Sequence, residues 1–254
     1  MLSVVLIGTG NVARQLFDAL SNSNDLQILQ VAGRNKEALK YFSKTTKTTS
    51  DFNKLSDAHV YIIALSDDVI SAVSEQLKIK YKLIVHTSGS IAMQPLPNNN
   101  RAGVFYPLQT FSKNRKIVFR EVPICIEAEN ESDVLLLKKL AGFLSNSVYR
   151  ISSEQRSALH LAAVFVNNFT NHMFTLANEI CEEHQLPFSV LKPLILETVK
   201  KIEDMPPLEA QTGPARRNDK STMEKHKQLL WKGDQKAIYS ALSESILKTY
   251  GEKL

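Results

Sequence analysis

The chain has 254 residues, enough for one large domain or two modest ones, and its 43% hydrophobic and 22% charged residues are those of an ordinary globular protein. The formal net charge is +5, but the basic residues are scattered and no helix-turn-helix or zinc motif appears; an anionic small ligand accounts for the mild excess equally well, and no nucleic-acid partner is expected. The apolar start Leu2–Ile7 is too short for a membrane span and lacks a basic n-region, and nothing later reaches transmembrane length. Cys125 and Cys181 have no paired spacing and read as buried free thiols of a cytoplasmic protein, and no metal-ligand set is visible.

Leu2–Ile7 reads as a buried strand, and Gly8-Thr9-Gly10-Asn11-Val12-Ala13 after it fits the dinucleotide fingerprint Gly-x-Gly-x-x-Gly/Ala. Gly8 permits the tight turn, Gly10 lets a pyrophosphate approach the backbone, and Ala13 lets the next helix pack closely. That helix carries Leu16, Phe17 and Leu20 on one face and offers its free N–H groups to phosphate. A second strand, Leu26–Gly33, leads into Arg34 and Asn35. An acidic residue at this point selects NAD, whereas an Arg accommodates a 2′-phosphate. With Arg34 and no carboxylate before Glu37, the expected cofactor is NADP.

Ala58–Leu65 is a third strand, followed by a helix that Ser66 or Asp67 can cap. Lys82–His86 is a fourth, breaking into Thr87-Ser88-Gly89-Ser90, a small polar turn of the kind that borders ligands in open α/β sheets. Strands near Gly103–Tyr106 and Val122–Ala128 flank the loop Pro107–Phe111, and a helix from about Ser132 to Leu144 and a short strand Val148–Ile151 close the domain. The alternation implies a mostly parallel, doubly wound sheet. The nucleotide is expected on Gly8, Thr9, Gly10, Asn11 and Val12, on Arg34 and Asn35, on Leu65 and Ser66, and on Ser88.

Composition changes near residue 152, giving an α/β dinucleotide-binding domain over 1–152 and an all-α domain over 153–254. Ser152-x-x-Gln155 has capping-box form and opens a helical run to about His184. His160, Asn167, Asn171 and Asn178 fall near one line at 3.6 residues per turn, with Asn168 beside it, a stripe able to face a cleft. Pro187 opens a further helix that Pro193 is expected to kink or shorten. The segment Pro206–Asp219 then concentrates unusual residues. Thr212 offers a hydroxyl, Arg216 and Arg217 can fork onto a carboxylate or phosphate, and Asp219 can orient an Arg or cap the next helix. His226 follows two turns later, and Gly251 reads as the stop of the last helix.

Gly8-x-Gly10-x-x-Ala13, His86-Thr87-Ser88-Gly89-Ser90, Tyr106–Phe111, His160 with Asn168, and Thr212-Gly213-Pro214-x-Arg216-x-x-Asp219 with His226 together resemble one family. It is the family of Rossmann-like NADP oxidoreductases with a helical C-terminal domain of unknown function, and the resemblance spans nearly the whole chain. More distantly the chain is similar to pyrroline-5-carboxylate reductases, deazaflavin-dependent NADP reductases and 3-hydroxyacid dehydrogenases. The resemblance implies an all-α C-terminal domain like that of 6-phosphogluconate dehydrogenase, and a homodimer built through it. One departure concerns the proton donor: 3-hydroxyacid dehydrogenases carry a Lys four residues before the helical Asn, where this chain has Val164.

The expected function is hydride transfer between NADP and a small, anionic carbonyl or imine substrate. His160 is the expected proton donor, because an unperturbed imidazole titrates near neutrality. Asn168 would orient the carbonyl or imine with help from Thr212, and Arg216 would hold a substrate carboxylate, itself positioned by Asp219 and His226. The alternative is a sensor or regulatory protein that binds NADP without turnover, which the missing Lys keeps open.

Overall fold

In a computed structural model that describes residues 1–113 and 115–250, the contacts divide into two compact units, Met1–Asn167 and Asn168–Leu254. The first unit is a sheet covered by helices. Its elements are β1 (Leu2–Ile7), α1 (Asn11–Leu20), β2 (Leu26–Ala32), α2 (Lys36–Leu39), β3 (Lys47–Thr49), β4 (Val60–Ile63), α3 (Asp67–Gln76) and β5 (Leu83–His86). They continue with β6 (Arg101–Pro107), β7 (Ile124–Ala128), α4 (Glu131–Gly142), β8 (Val148–Arg150) and α5 (Ser153–Ala163). The strand order is β3-β2-β1-β4-β5-β6-β7-β8, and β6–β7 is the antiparallel pair in an otherwise parallel sheet. The order reverses between β1 and β4, which is where doubly wound sheets open a crevice beyond their carboxyl ends.

The central strands are apolar without alternation because helices cover both faces. Val60–Ile63 and Leu83–His86 are buried throughout. Val4 and Leu6 join one core with Leu16 and Phe17 of α1 and Val134 and Leu137 of α4, while Val5 and Ile7 join the other with Ile70 and Val73 of α3. This is the period-2 alternation of a strand read from both sides. Ala13 is fully buried, which is what close seating of α1 on the sheet needs. The three-residue strand β3 has no apolar pattern, and nothing in the sequence announces it.

α5 opens on the expected capping box: Ser152 Oγ accepts from Gln155 N at 3.3 Å and Gln155 Oε1 accepts from Ser152 N at 2.9 Å. The helix groups with the sheet rather than with the helices after it, so the compact units divide later than the compositional shift at 152. Arg156 anchors it. This guanidinium is 1% exposed, is ion-paired with Glu127 of β7, and donates to Ile91 O at 2.5 Å and Ser153 Oγ at 3.2 Å.

A π-helical turn, Val164–Phe169, follows α5, so a count at 3.6 residues per turn does not carry through the predicted His/Asn stripe. The second unit contains α6 (Thr170–Glu183), α7 (Lys192–Asp204), α8 (Pro207–Ala210), α9 (Lys220–Leu229) and α10 (Gly233–Tyr250). Pro187 caps a 3-10 turn, Phe188–Leu191, and Pro193 lies in the first turn of α7, where its missing N–H is harmless, rather than kinking a helix. Gly251 lies outside the described residues. No helix among the described residues is long and apolar enough to cross a membrane.

Removing one partner of a buried ion pair leaves an uncompensated charge. Glu127→Ala is expected to lower stability by about 3 kcal/mol, read as a fall in the urea midpoint, whereas Glu131→Ala, on an exposed pair with Arg150, shifts it little.

Candidate functional site

The crevice begins at Gly8, whose φ of +135° is left-handed and whose Cβ, if present, would lie 2.1 Å from Ala64 O at the carboxyl end of β4. No residue with a side chain fits there. Gly10 N-caps α1, and a Cβ on it would meet nothing within 4 Å. The first turn of α1 has no acidic residue and Gly10 supplies no side-chain cap, so among the described residues no side chain caps the leading N–H groups. An anionic diphosphate fits that donor set. Thr9 packs its methyl where a Cβ on Gly33 would sit, 2.6 Å away, closing the end of β2 just before Arg34.

The remaining nucleotide candidates line the same carboxyl edge of the sheet. Arg34 is exposed beyond β2, and Asn35 caps α2 by accepting from Ala38 N at 3.0 Å. Leu65 is half-buried, and Ser66 occupies the N-cap position of α3 without spending its hydroxyl on a cap bond. Asn11 ties α1 to the loop after β6 through Nδ2 to Phe111 O, 3.1 Å. Ser88 is buried, and its Oγ accepts from Ser90 N and Ile91 N, both at 3.0 Å, so it braces the polar turn after β5.

His160 meets that turn. A Cβ on Gly89 would lie 2.6 Å from His160 Nδ1 and 2.9 Å from Tyr106 Cζ, so the glycine backs directly onto both rings. The Tyr106 hydroxyl is 3.1 Å from His160 Nδ1. Tyr106 is buried, and burial pushes its phenol up to about 12. His160 is half-buried and lies one turn after Arg156, on the same side of α5. His86 is a different imidazole. It is 8% exposed, its Nδ1 accepts from Ser88 N at 3.3 Å, and its buried Nε2 has no partner among the described residues. Burial, then the charge of Arg156, pulls its pKa down to about 4.

Two residues of this cluster escape sequence reasoning as site residues. Tyr106 stands in a quoted motif, Tyr106–Phe111, whose period marks it only as strand. Arg156 sits in the first turns of a capped helix, where a cation ordinarily reads as solvated surface, and no local signal distinguishes it.

The other candidates belong to the second unit. Asn168 is an exposed residue of the π turn. Thr212 is exposed beside Gly213, whose φ of +106° favours glycine. The expected positioning of Arg216 by Asp219 and His226 is not the observed arrangement. Arg216 donates to the carbonyls of Gln211 and Glu209 and stacks over Tyr250 at 5.4 Å. Asp219 caps α9, accepting from Thr222 N at 3.0 Å and Oγ1 at 2.7 Å, and these bonds hold its carboxyl below the usual range. His226 Nδ1 is 2.9 Å from the Tyr239 hydroxyl.

Residues 3–89 match the family described as NADP oxidoreductase, coenzyme F420-dependent, and residues 122–246 match a domain of unknown function, DUF2520. Among solved structures, the chain is 40% identical to a candidate NADP oxidoreductase from Bacteroides fragilis, covering 97% of this chain and 98% of that one at a TM-score of 0.86. It is 14% identical to an imine reductase from Myxococcus stipitatus in complex with NADP+ (TM-score 0.72, 98% and 96% covered). It is 19% identical to a pyrroline-5-carboxylate reductase from Coxiella burnetii (TM-score 0.58, 98% and 97% covered). The last two likenesses show the fold. No curated protein sequence matches.

The depressed pKa of His86 has a consequence for stability. The unfolded ring binds a proton below about 6.5 and the folded ring only below about 4, so its contribution is complete above pH 6.5 and is lost as pH falls toward 4. The loss over that window is about 3 kcal/mol. Denaturant midpoints between pH 7 and 4 should fall steeply for the natural chain and less steeply for His86→Gln.

Proposed function

The chain belongs to the family that joins an NADP oxidoreductase domain to this C-terminal domain of unknown function, and from that premise we propose that it transfers a hydride between NADP and a small, anionic carbonyl or imine substrate. When bound, the nicotinamide supplies the hydride. The leading N–H groups of α1 and the bare backbone of Gly10 would hold the diphosphate, and Arg34 would fork onto the 2′-phosphate. His160 supplies the proton to the oxygen or nitrogen that becomes charged in the reaction. Two strand spacings of about 4.8 Å separate β5 from β1, so the Gly89 turn lies roughly 10 Å along the carboxyl edge from the glycine turn.

The observation that carries this reading is the half-buried His160 set against Gly89 and Tyr106 at the carboxyl edge of the sheet that bears the glycine turn. On the helical unit, Asn168 and Thr212 are assigned to orienting the carbonyl or imine, and Arg216 to a substrate carboxylate. Asp219 and His226 enter as residues that hold the frame of that segment, through Thr222 and Tyr239. The buried free thiols Cys125 and Cys181 fit a reducing compartment, and the cytoplasm is proposed.

A homodimer through the helical unit is part of the proposal. Its support is the apolar surface of α7, where Leu194 and Leu196 are 63% and 61% exposed and Val199 and Ile202 are 52% and 53% exposed. Light scattering should give twice the mass of one chain, and Leu194→Glu should shift it toward the monomer; a monomer at micromolar concentration overturns this part.

Fluorescence titration with NADPH and NADH tests the cofactor. Tighter NADPH binding is expected, with the preference lost in Arg34→Ala; equal affinities in the natural chain sink the assignment. His160→Gln should keep NADPH affinity while lowering kcat on keto acids or imines by roughly 100-fold. Tight NADPH binding with no oxidation by any substrate of either class would instead favour a binding protein without turnover.

A further inference from the structure

We propose that Tyr106 is a positioning residue: its hydroxyl, bonded to His160 Nδ1, holds the imidazole as the tautomer with its hydrogen on Nε2 and makes Nε2 the nitrogen that His160 turns to substrate. The second half rests on His160 as the proton donor of the proposed function; the first half concerns this chain alone.

The hydroxyl and Nδ1 are 3.1 Å apart, with the rings edge-on at 71°. One hydrogen lies between them, so either the phenol donates to the Nδ1 lone pair or Nδ1–H donates to the phenol oxygen. The environment of the phenol decides. Tyr106 is 8% exposed, and burial keeps it as O–H to about 12, so it always carries a hydrogen that needs an acceptor. His160 Nδ1 is its acceptor among the described contacts. Cys125, opposite Tyr106 in the β6–β7 register, is a buried thiol whose pKa is raised by burial, and neutral sulfur accepts weakly. An Nδ1–H would therefore strand the phenol hydrogen in an apolar setting formed by Val104, Cys125 and Leu159.

Gly89 closes the same side of the ring. A Cβ there would lie 2.6 Å from Nδ1 and 2.7 Å from Cγ, so a substrate atom has no room beside Nδ1. Nε2 is the nitrogen left for substrate. In the neutral tautomer its hydrogen can hydrogen-bond and orient a carbonyl or imine. The proton itself leaves Nε2 only from the doubly protonated ring, which is then left with hydrogen on Nδ1 until the phenol again donates to that nitrogen and Nε2 is reprotonated from solvent.

Long-range proton–nitrogen correlation spectra of the full chain without substrate test this, with His160→Gln identifying the resonances. Near neutral pH, the expected unprotonated nitrogen is Nδ1, displaced by an accepted hydrogen bond. In Tyr106→Phe, which keeps the buried ring, that nitrogen should move to the position of an unbonded imidazole nitrogen, with NADPH affinity unchanged and kcat about tenfold lower. A protonated Nδ1 in the neutral ring of the natural chain overturns the proposal, as does an Nδ1 signal unmoved in Tyr106→Phe. Should the variant not fold, the natural chain's spectrum decides alone. If Nδ1 behaves as expected while kcat is untouched in Tyr106→Phe, the tautomer stands and His160 as proton donor falls.

Discussion

The candidate site of the first unit depends on one buried charge. Arg156 is 1% exposed, and a guanidinium so placed is tolerated only when it is paired and hydrogen-bonded. Glu127 supplies the pairing and also accepts from Ser153 N at 3.0 Å and Ser153 Oγ at 2.8 Å, so one carboxylate fixes the first turn of α5 to β7. The other arm of the guanidinium takes Ile91 O and fixes the chain just after the Ser88–Gly89 turn. Register then determines where the helix goes. Glu127 pairs with Val104 and Val104 with His86, so α5 starts level with His86 and climbs about 1.5 Å per residue. His160 comes level with Tyr106 and Gly89, at the carboxyl edge. β8 makes this possible: parallel to β7 and therefore running against β6, it returns the chain to the level of Ile126–Glu127, from which α5 can rise past β6.

The glycine turn solves a different problem at the same edge. There the constraint is main chain against main chain: Gly8 passes the Ala64 carbonyl with no space for a Cβ, and α1 starts shortly beyond β1 with no side-chain cap among the described residues. Ala64 N bonds Ile7 O at 2.7 Å and Thr87 N bonds Ile63 O at 3.1 Å, so the ends of β1, β4 and β5 are stitched in sequence. A ligand lying along that edge would meet fixed backbone donors at one end and a fixed imidazole at the other. Preorganisation of this kind is what hydride transfer asks of a protein, since the cofactor carries the chemistry and the chain supplies position and charge.

The sequence disclosed these features unevenly, and the reason is the range over which each is encoded. The glycine turn is legible because its geometry depends on residues within one strand-turn-helix unit, and the capping box of Ser152 and Gln155 is legible for the same reason. Arg156 is illegible because its partner is 29 positions away and its burial depends on how β7 and α5 meet. Tyr106 reads as strand because it is strand; its hydroxyl acquires a role only from a helix 54 residues later. The π turn at Val164–Phe169 defeats a stripe counted at constant pitch, and it begins at Val164, the position where 3-hydroxyacid dehydrogenases carry Lys. In the helical unit, spacing suggested a chain of Arg216, Asp219 and His226, but each is held by a nearer partner: backbone carbonyls, the helix it caps, and Tyr239.

Two imidazoles lie near the polar turn after β5, in contrasting surroundings. His86 ends a fully buried strand beside the Arg156 charge, and a proton placed on it would meet both desolvation and a like charge. It stays neutral down to about pH 4, which suits a strut that receives Ser88 N and shapes the turn. His160 is only half-buried, and it faces a neutral phenol rather than a guanidinium. The proton role proposed for His160 needs access to substrate, which the half-buried ring retains and the buried His86 does not. The buried Arg156 thus does two things with one charge: it fixes the start of α5 against β7 and the chain after β5, and it adds to the burial that keeps His86 neutral.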